Sequence, residues 1–163
     1  MTTIRVAATP DGDRLDEIDR LTRSSENSPS PIGQAPTSFF EHLAPADVLV
    51  ATDHDSISGY IQFRQPTPLA SNAHVWQING VAVDPRYQRC GLGKALVEAA
   101  IREIGSRGGW RITLRVLSTN PGAQRLYARC GFVVEGVLRS EFVLDDREVD
   151  DVLMALVTRG RES

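Results

Sequence analysis

A chain of 163 residues, 41% hydrophobic and 24% charged, is expected to form one domain over 1–163 whose core needs no disulfide or metal staple. A formal net charge of −3 and the absence of any dense Lys/Arg run argue against nucleic acid as the main partner. The opening MTTIRVAATPDGD lacks a secretory pattern, no apolar stretch is long enough to span a membrane, and Cys90 and Cys130 lack metal-ligand spacing, which together predict a cytoplasmic protein with reduced thiols.

Residues Thr3–Ala8 alternate weakly and predict a first strand. Asp11 or Asp13 then offers an N-cap for a helix carrying Leu15, Ile18 and Leu21. The stretch Ser24–Pro36, with three prolines and one glycine, reads as a loop suited to a lid or a substrate wall, and Thr37–Leu43 as a short second helix. Asp47–Thr52 and Ser58–Arg64 form a β-hairpin around Asp53–Ser56, and His74–Val83 is a long β-branched and aromatic strand. Leu92–Ile104 is an amphipathic helix with Leu92, Leu96, Ala100, Ile101 and Ile104 on one face and a Glu98–Arg102 spacing on another. Arg111–Leu117 is a strand; Asn120 caps a helix with Pro121 in its first position and Ala123, Leu126, Tyr127 and Cys130 on one face. Phe132–Leu138 and Val149–Val157 read as the last strands, and 158–163 as a frayed tail.

The segment VAVDPRYQRCGLGKAL, residues Val81–Leu96, carries the strongest chemical signal. An apolar strand enters, Pro85 helps turn the chain, and a long helix leaves. Gly91 and Gly93 remove side chains where an anion would approach the backbone. The unpaired amides of the first helical turn, the helix dipole and Lys94 would then hold a pyrophosphate. A Walker A loop is excluded because Ala95 follows Gly93-Lys94 and Arg89 stands where the first glycine belongs. The dinucleotide fingerprint fails at Leu96, its third glycine position. The plain alternative is that both glycines only shape a tight entry to the helix.

The segment as a whole resembles the acetyl-CoA-binding signature of the GNAT superfamily of N-acetyltransferases. That pattern falls on Gln88-Arg89-Cys90-Gly91-Leu92-Gly93, preceded by Val81-Ala82-Val83-Asp84-Pro85. The likeness continues in NPGAQRLYARCGF, residues Asn120–Phe132, and in the final two strands. It implies a mixed α/β (α+β), single-domain GNAT-like fold: a central, mostly antiparallel sheet with splayed parallel strands, flanked by helices. The strands ending near Val83 and Leu117 would splay to admit the pantetheine arm of acetyl-CoA. Val81, Ala82 and Val83 would line that arm, the amides from Arg89 to Lys94 would take the pyrophosphate, and Asn120 and Arg125 would border the cofactor.

The implied reaction is direct attack of a neutral amine, from a small molecule or from a peptide or protein, on the thioester carbonyl, assisted by a donor to the developing oxyanion. Capturing the neutral form of a lysine-like amine, pKa ~10.4, costs roughly 4–5 kcal/mol at pH 7 unless a base takes the proton. Tyr127 matches the family's helix tyrosine, which would serve the leaving thiolate, although a tyrosine on that face also suits plain core packing. Relatives often carry a glutamate where this chain has Asn79, and an amide cannot act as that base, though it can orient substrate or water. Gln77 shares that strand face by alternation, while Glu41, His74, Glu135 and Glu141 are remote contributors at most. Trp76 and the Leu144–Arg147 turn are expected around the acceptor, and the final strands would suit a homodimer. A non-catalytic CoA sensor is the main alternative, motivated by Asn79; a partner-binding role for the acidic run Asp145–Asp151 is another.

Overall fold

The alternation and apolar runs of the sequence become strands and helices in the computed structural model, which describes residues 1–30 and 38–159. In chain order these are β1 (Thr2–Val6), α1 (Gly12–Thr22), β2 (Val48–Asp53), β3 (Ser56–Arg64), β4 (Val75–Val83), α2 (Leu92–Ser106), β5 (Arg111–Leu117), α3 (Pro121–Arg129), β6 (Val133–Leu144) and β7 (Arg147–Val157). The strands form one sheet in the order β1-β2-β3-β4-β5-β7-β6. Every neighbouring pair is antiparallel except β4 and β5.

Strand alternation sets the layers. Leu49 and Ala51 of β2, with Ile61 and Phe63 of β3, join the core beneath α2 and α3. Val48 and Val50 with Tyr60 face the other way, against Leu15 and Ile18 of α1. β2 is therefore apolar on both faces, which is why VLVA reads as an unbroken run. Leu96, Val97 and Ile104 of α2 are fully buried, each contributing up to about 1.5–3 kcal/mol. This is the mixed, helix-flanked GNAT-like architecture implied by the resemblance.

Several local expectations are corrected. Residues 38–43 form turns and bends, not the second helix expected over Thr37–Leu43. There Phe39 makes edge-on contacts with Phe40 and Tyr60, ring centroids 5.4 and 4.9 Å away, so side-chain packing replaces a helical ladder. Asp11 stands at the N-cap of α1, but its carboxylate accepts from Ala8 N and from Arg5. Glu98 pairs with Lys94 at 3.4 Å; the predicted Glu98–Arg102 pair is absent among the described residues. β6 runs on to Leu144 through an interruption between Leu138 and Phe142, where Ser140 takes φ 52°. Asp150 accepts from Ser140 N at 2.8 Å and Glu148 from its hydroxyl at 2.9 Å, pinning that bulge. Thr158, expected to fray, donates its amide to Trp110 O at 2.9 Å; 160–163 lie outside the described residues.

Candidate active site

The parallel pairing of β4 with β5 is brief. It runs from Val75 opposite Arg111 to Ile78 opposite Leu114 and stops. Beyond it Gly80–Val83 pair only with β3, and Arg115–Leu117 only with β7. The sheet thus parts into a slot. A bulge initiates the parting: Gln62 lies opposite Gly80 and Phe63 opposite Ile78, so Asn79 has no partner across β3. The extra residue resets the strand's phase. Trp76 and Ile78 face the α2 core before it, Val81 and Val83 after it.

A cavity of about 430 Å³ occupies the slot. Its walls are Ile78–Ala82 of β4, Arg115 and Val116 of β5, Tyr60 and Gln62 of β3, Asp19 and Thr22 at the end of α1, Arg23 and Asn27–Ser30 after it, and Asn120, Ala123 and Tyr127 around α3. Of the residues singled out from sequence, Asn79, Val81, Ala82, Asn120 and Tyr127 meet there. Gln77 does not line it, because the bulge separates Gln77 from Asn79 in phase. Trp76 is also excluded from the wall: it is buried against Phe63 beneath Arg107. The Leu144–Arg147 turn reaches the site indirectly, through Asp145, which accepts from the Ser25 hydroxyl. The part of the loop over 31–36 lies outside the described residues.

The turn after β4 is built around a buried carboxylate that sequence reasoning noted only as part of the motif. Asp84 is 0% exposed and accepts from Arg86 N at 2.9 Å, from Arg86 Nε at 3.1 Å and from Arg14 Nη2. The Arg86 hydrogen bonds hold its carboxyl far below the ordinary range, against the opposing effect of burial, with Arg14 assisting. Arg14 thereby ties α1 to the turn. Gln88 Nε2 donates to Val83 O at 3.0 Å, and the Cys90 thiol to Tyr87 O at 2.6 Å, so both side chains brace the loop.

From there the backbone opens toward solvent. Arg89 has φ 67°, and Gly91, the N-cap of α2, φ 78°. Among the described residues no acceptor meets the amides of Gly91, Leu92, Gly93 or Lys94; the first helical bond is Ala95 N to Gly91 O at 3.1 Å. A Cβ on Gly91 would meet nothing within 4 Å, so the space above these amides is free. A Cβ on Gly93 would lie 3.4 Å from Leu126 Cδ2, so this glycine lets α3 approach the start of α2. Exposed Arg89 and Lys94 flank the cradle. Unpaired amides at a helix start, free space and flanking cations fit a pyrophosphate.

Val83 and Gln88–Lys94 lie outside the cavity wall; on the wall itself, Asn120 accepts from Ala123 N at 3.2 Å, so it caps α3 and also lines the cavity. Tyr127 is 6% exposed and packs edge-on against Phe132. No described residue bonds its hydroxyl, and burial, with a smaller contribution from Cys130, raises its pKa well above that of a free phenol. Arg125 is exposed and lies outside the cavity wall.

The remote candidates separate. Glu135 is bound by Arg111 at 2.7 and 2.8 Å, and His74 stacks on Trp110 at 4.1 Å, both at the far end of the sheet. Glu41 is exposed and not part of the wall; Glu141 stands 3.7 Å from Arg115. The carboxylate among the described lining residues is Asp19, which accepts from Arg23 Nε and Nη2 at 3.1 and 2.7 Å and from the Tyr60 hydroxyl at 3.0 Å.

The model of the acetyltransferase (GNAT) family matches residues 15–132. The [ribosomal protein bS18]-alanine N-acetyltransferase of Escherichia coli K12 is 41% identical over 76 residues, 47% of this chain and 51% of that protein. The chain thus spans about half the length of the curated relatives it matches first. Among solved structures, smu.2055 of Streptococcus mutans UA159 superposes with a TM-score of 0.85 at 28% identity, covering 96% of this chain and 99% of that one. yncA of Salmonella typhimurium, solved with its cofactor acetyl-CoA, gives 0.84 at 22% identity over 100% and 97%.

Proposed function

The chain belongs to the acetyltransferase (GNAT) family, and from that premise we propose that it transfers an acetyl group from acetyl-CoA to an amine of a small molecule or of a peptide or protein. One observation carries the reading: the cavity beside the splayed end of β4 holds a buried, neutral phenol, and the helix that follows the same strand opens with unpaired amides. Acetyl-CoA supplies the activated acyl group as its thioester. The amides of Gly91–Lys94 seat its pyrophosphate, and the unpaired edge of Val81–Val83 takes the arm.

Tyr127 holds its proton and donates a hydrogen bond to the departing sulfur. Full proton transfer from a phenol above pH 10 to a thiolate near 8.5 runs uphill by at least about 2 kcal/mol, so donation without transfer is the productive role. Asp19 already accepts three bonds and is not a free base. The amine therefore loses its proton to water at the cavity mouth, with Asn79 orienting the acceptor or that water. A homodimer along the edge strand β6 belongs to the same reading, supported by exposed Val133, Val134, Val137 and Val143. A cytoplasmic location is supported by the free thiols of Cys90 and Cys130.

A CoA-sensing module without chemistry is the second reading, favoured by Asn79 and by the three bonds Asp19 already accepts. CoA release measured over a panel of amines separates the two. The transferase reading predicts turnover with at least one class; protein that is folded and binds acetyl-CoA yet accelerates no transfer would leave the sensor.

A further inference from the structure

Two phenols border the cavity, and they reach it from opposite faces of the sheet. Tyr127 belongs to the core under α2 and α3, Tyr60 to the core against α1, and both line the wall. Their hydroxyls differ in polarity. That of Tyr127 has no partner among the described residues and keeps its hydrogen for donation. That of Tyr60 lies 3.0 Å from Asp19 Oδ1, and a carboxylate only accepts, so the phenol donates and its oxygen remains as an acceptor. Burial, reinforced by the charge of Asp19, raises the pKa of Tyr60 well above that of a free phenol, so this hydrogen stays in place.

The arrangement is held from behind. Tyr60 is 2% exposed, and Phe39 packs edge-on against its ring. Asp19 Oδ2 takes both bonds from Arg23, leaving Oδ1 to Tyr60, and Arg23 Nη1 donates to Ser28 Oγ at 3.3 Å. Tyr60, Asp19, Arg23 and Ser28 thus form one hydrogen-bonded chain along the wall. No other described wall side chain combines this polarity with this place. Arg23 and Arg115 bring only N–H groups, and Arg115 already faces Asp151 and Glu141. Gln62 and Asn79 carry donor and acceptor alike, and Asn120 is engaged by Ala123 N. Thr22 is also committed as a donor, to Ile18 O, but it stands on α1. Tyr60 is the cross-strand partner of Ala82, within the edge that β4 leaves unpaired toward β5.

We propose that Tyr60 receives the acceptor's amine, its hydroxyl oxygen taking a hydrogen bond from the nucleophilic nitrogen, and that Asp19 acts through it as a positioning residue. This rests on the transferase reading and adds to it a group for the incoming nitrogen, as Tyr127 serves the departing sulfur. The bond to a neutral amine is modest. It strengthens as the N–C bond forms, because the nitrogen becomes positive while Asp19 polarises the phenol. Tyr60 takes no proton; water does. Its contribution therefore falls on kcat and leaves acetyl-CoA binding alone.

The test uses the intact protein with n-butylamine, benzylamine and an alanine-initiated peptide, reading CoA release in wild type, Tyr60→Phe, Asp19→Asn and the double variant. Phe keeps the ring in its packing, and Asp19, 22% exposed, rehydrates. Tyr60→Phe should lose roughly 10–100-fold in kcat on the amine that wild type turns over best, with KM for acetyl-CoA and Tm nearly unchanged. Asp19→Asn should lose about 3–10-fold in wild type and less than about twofold in the Phe background, because its effect passes through the hydroxyl; independent structural effects would multiply instead. Tyr60→Phe within about twofold of wild type, a loss that falls on KM for acetyl-CoA, or fully multiplicative effects would overturn the assignment while the transferase reading stands. If none of these amines is turned over, calorimetry of the same probes against CoA-saturated protein decides. Binding that Tyr60→Phe weakens keeps the amine seat and removes the transferase reading; no binding, or binding the variant leaves unchanged, overturns the seat.

Discussion

Asn in place of Asp84 is the perturbation whose cost the structure defines best. The carboxylate is completely buried and joins Arg14 of α1 to the turn that leads into the α2 amides. Asn keeps the size and one acceptor, so a weaker bond to Arg86 N persists. What disappears is the charge-assisted bond from Arg14, one-fifth exposed, together with the charged character of the backbone bond. Arg86 is 68% exposed and rehydrates on release, so it is left out of the sum. A hydrogen bond to a charged group contributes about 1.5–3 kcal/mol, and exchanging a charged for a neutral acceptor at the backbone amide about 0.5–1 kcal/mol more. Asp84→Asn should therefore destabilise by about 2–4 kcal/mol, lowering Tm by roughly 4–16 °C for a domain of this size. Denaturant titration and calorimetry measure it, and KM for acetyl-CoA should rise as the turn loosens. The folded carboxyl lies below its unfolded value of about 3.9, so its contribution is complete above that pH and fades as pH falls toward the folded pKa. The Asn variant should accordingly lose stability less steeply than wild type on acidification below about pH 4. A difference under about 0.5 kcal/mol at pH 7, with unchanged acetyl-CoA binding, would refute this account of the turn.

Other substitutions probe the rest of the slot. Tyr127→Phe should lower kcat by about 10–100-fold with acetyl-CoA binding and Tm nearly unchanged, read by single-turnover kinetics and calorimetry. With its pKa raised, Tyr127 stays protonated in the wild type through pH 10, so no alkaline loss of kcat should begin there from this group; a titration breaking between pH 8 and 9 that vanishes in the Phe variant would contradict this. Gly91→Val, at φ 78°, should cost about 1–2 kcal/mol of stability and raise KM for acetyl-CoA, the side chain projecting into the space reserved for phosphate. Gly109→Ala places a Cβ 2.4 Å from both Ile104 Cγ2 and Trp76 Cδ1, far from the slot, and should lower Tm by overpacking worth about 1–3 kcal/mol without changing KM for either substrate.

Element order and the glycine turn were legible because they rest on local signals. Apolar spacing marks α2, Asn120-Pro121 marks the start of α3, and Arg111–Leu117 is bounded in the structure where its alternation predicted. The bulge at Asn79 was not legible, since it exists only in the pairing of Gln62 and Phe63 with a strand elsewhere in the chain, and alternation alone put Gln77 beside Asn79. Thr37–Leu43 read as a short helix, but there Phe39 packs against Phe40 and Tyr60 instead. The pairings of Asp84 and Arg115 were invisible for a related reason. Their partners, Arg14 and Asp151, are distant in sequence, and neither pair follows a local spacing rule. Their one trace is that each is a charge within or beside a largely apolar strand.

The position of β7 between β5 and β6 has a consequence for the order of assembly. β6 is made before β7 yet pairs in the sheet only with it, so β6 must wait unpaired until the later strand inserts. A chain interrupted before Arg147 would leave β5 with an open flank, β6 with no neighbour in the sheet and Arg115 without the carboxylate that anchors it. Stalled or clipped forms of this protein should therefore behave as aggregation-prone five-stranded fragments that retain the α2 amides but have lost one wall of the slot.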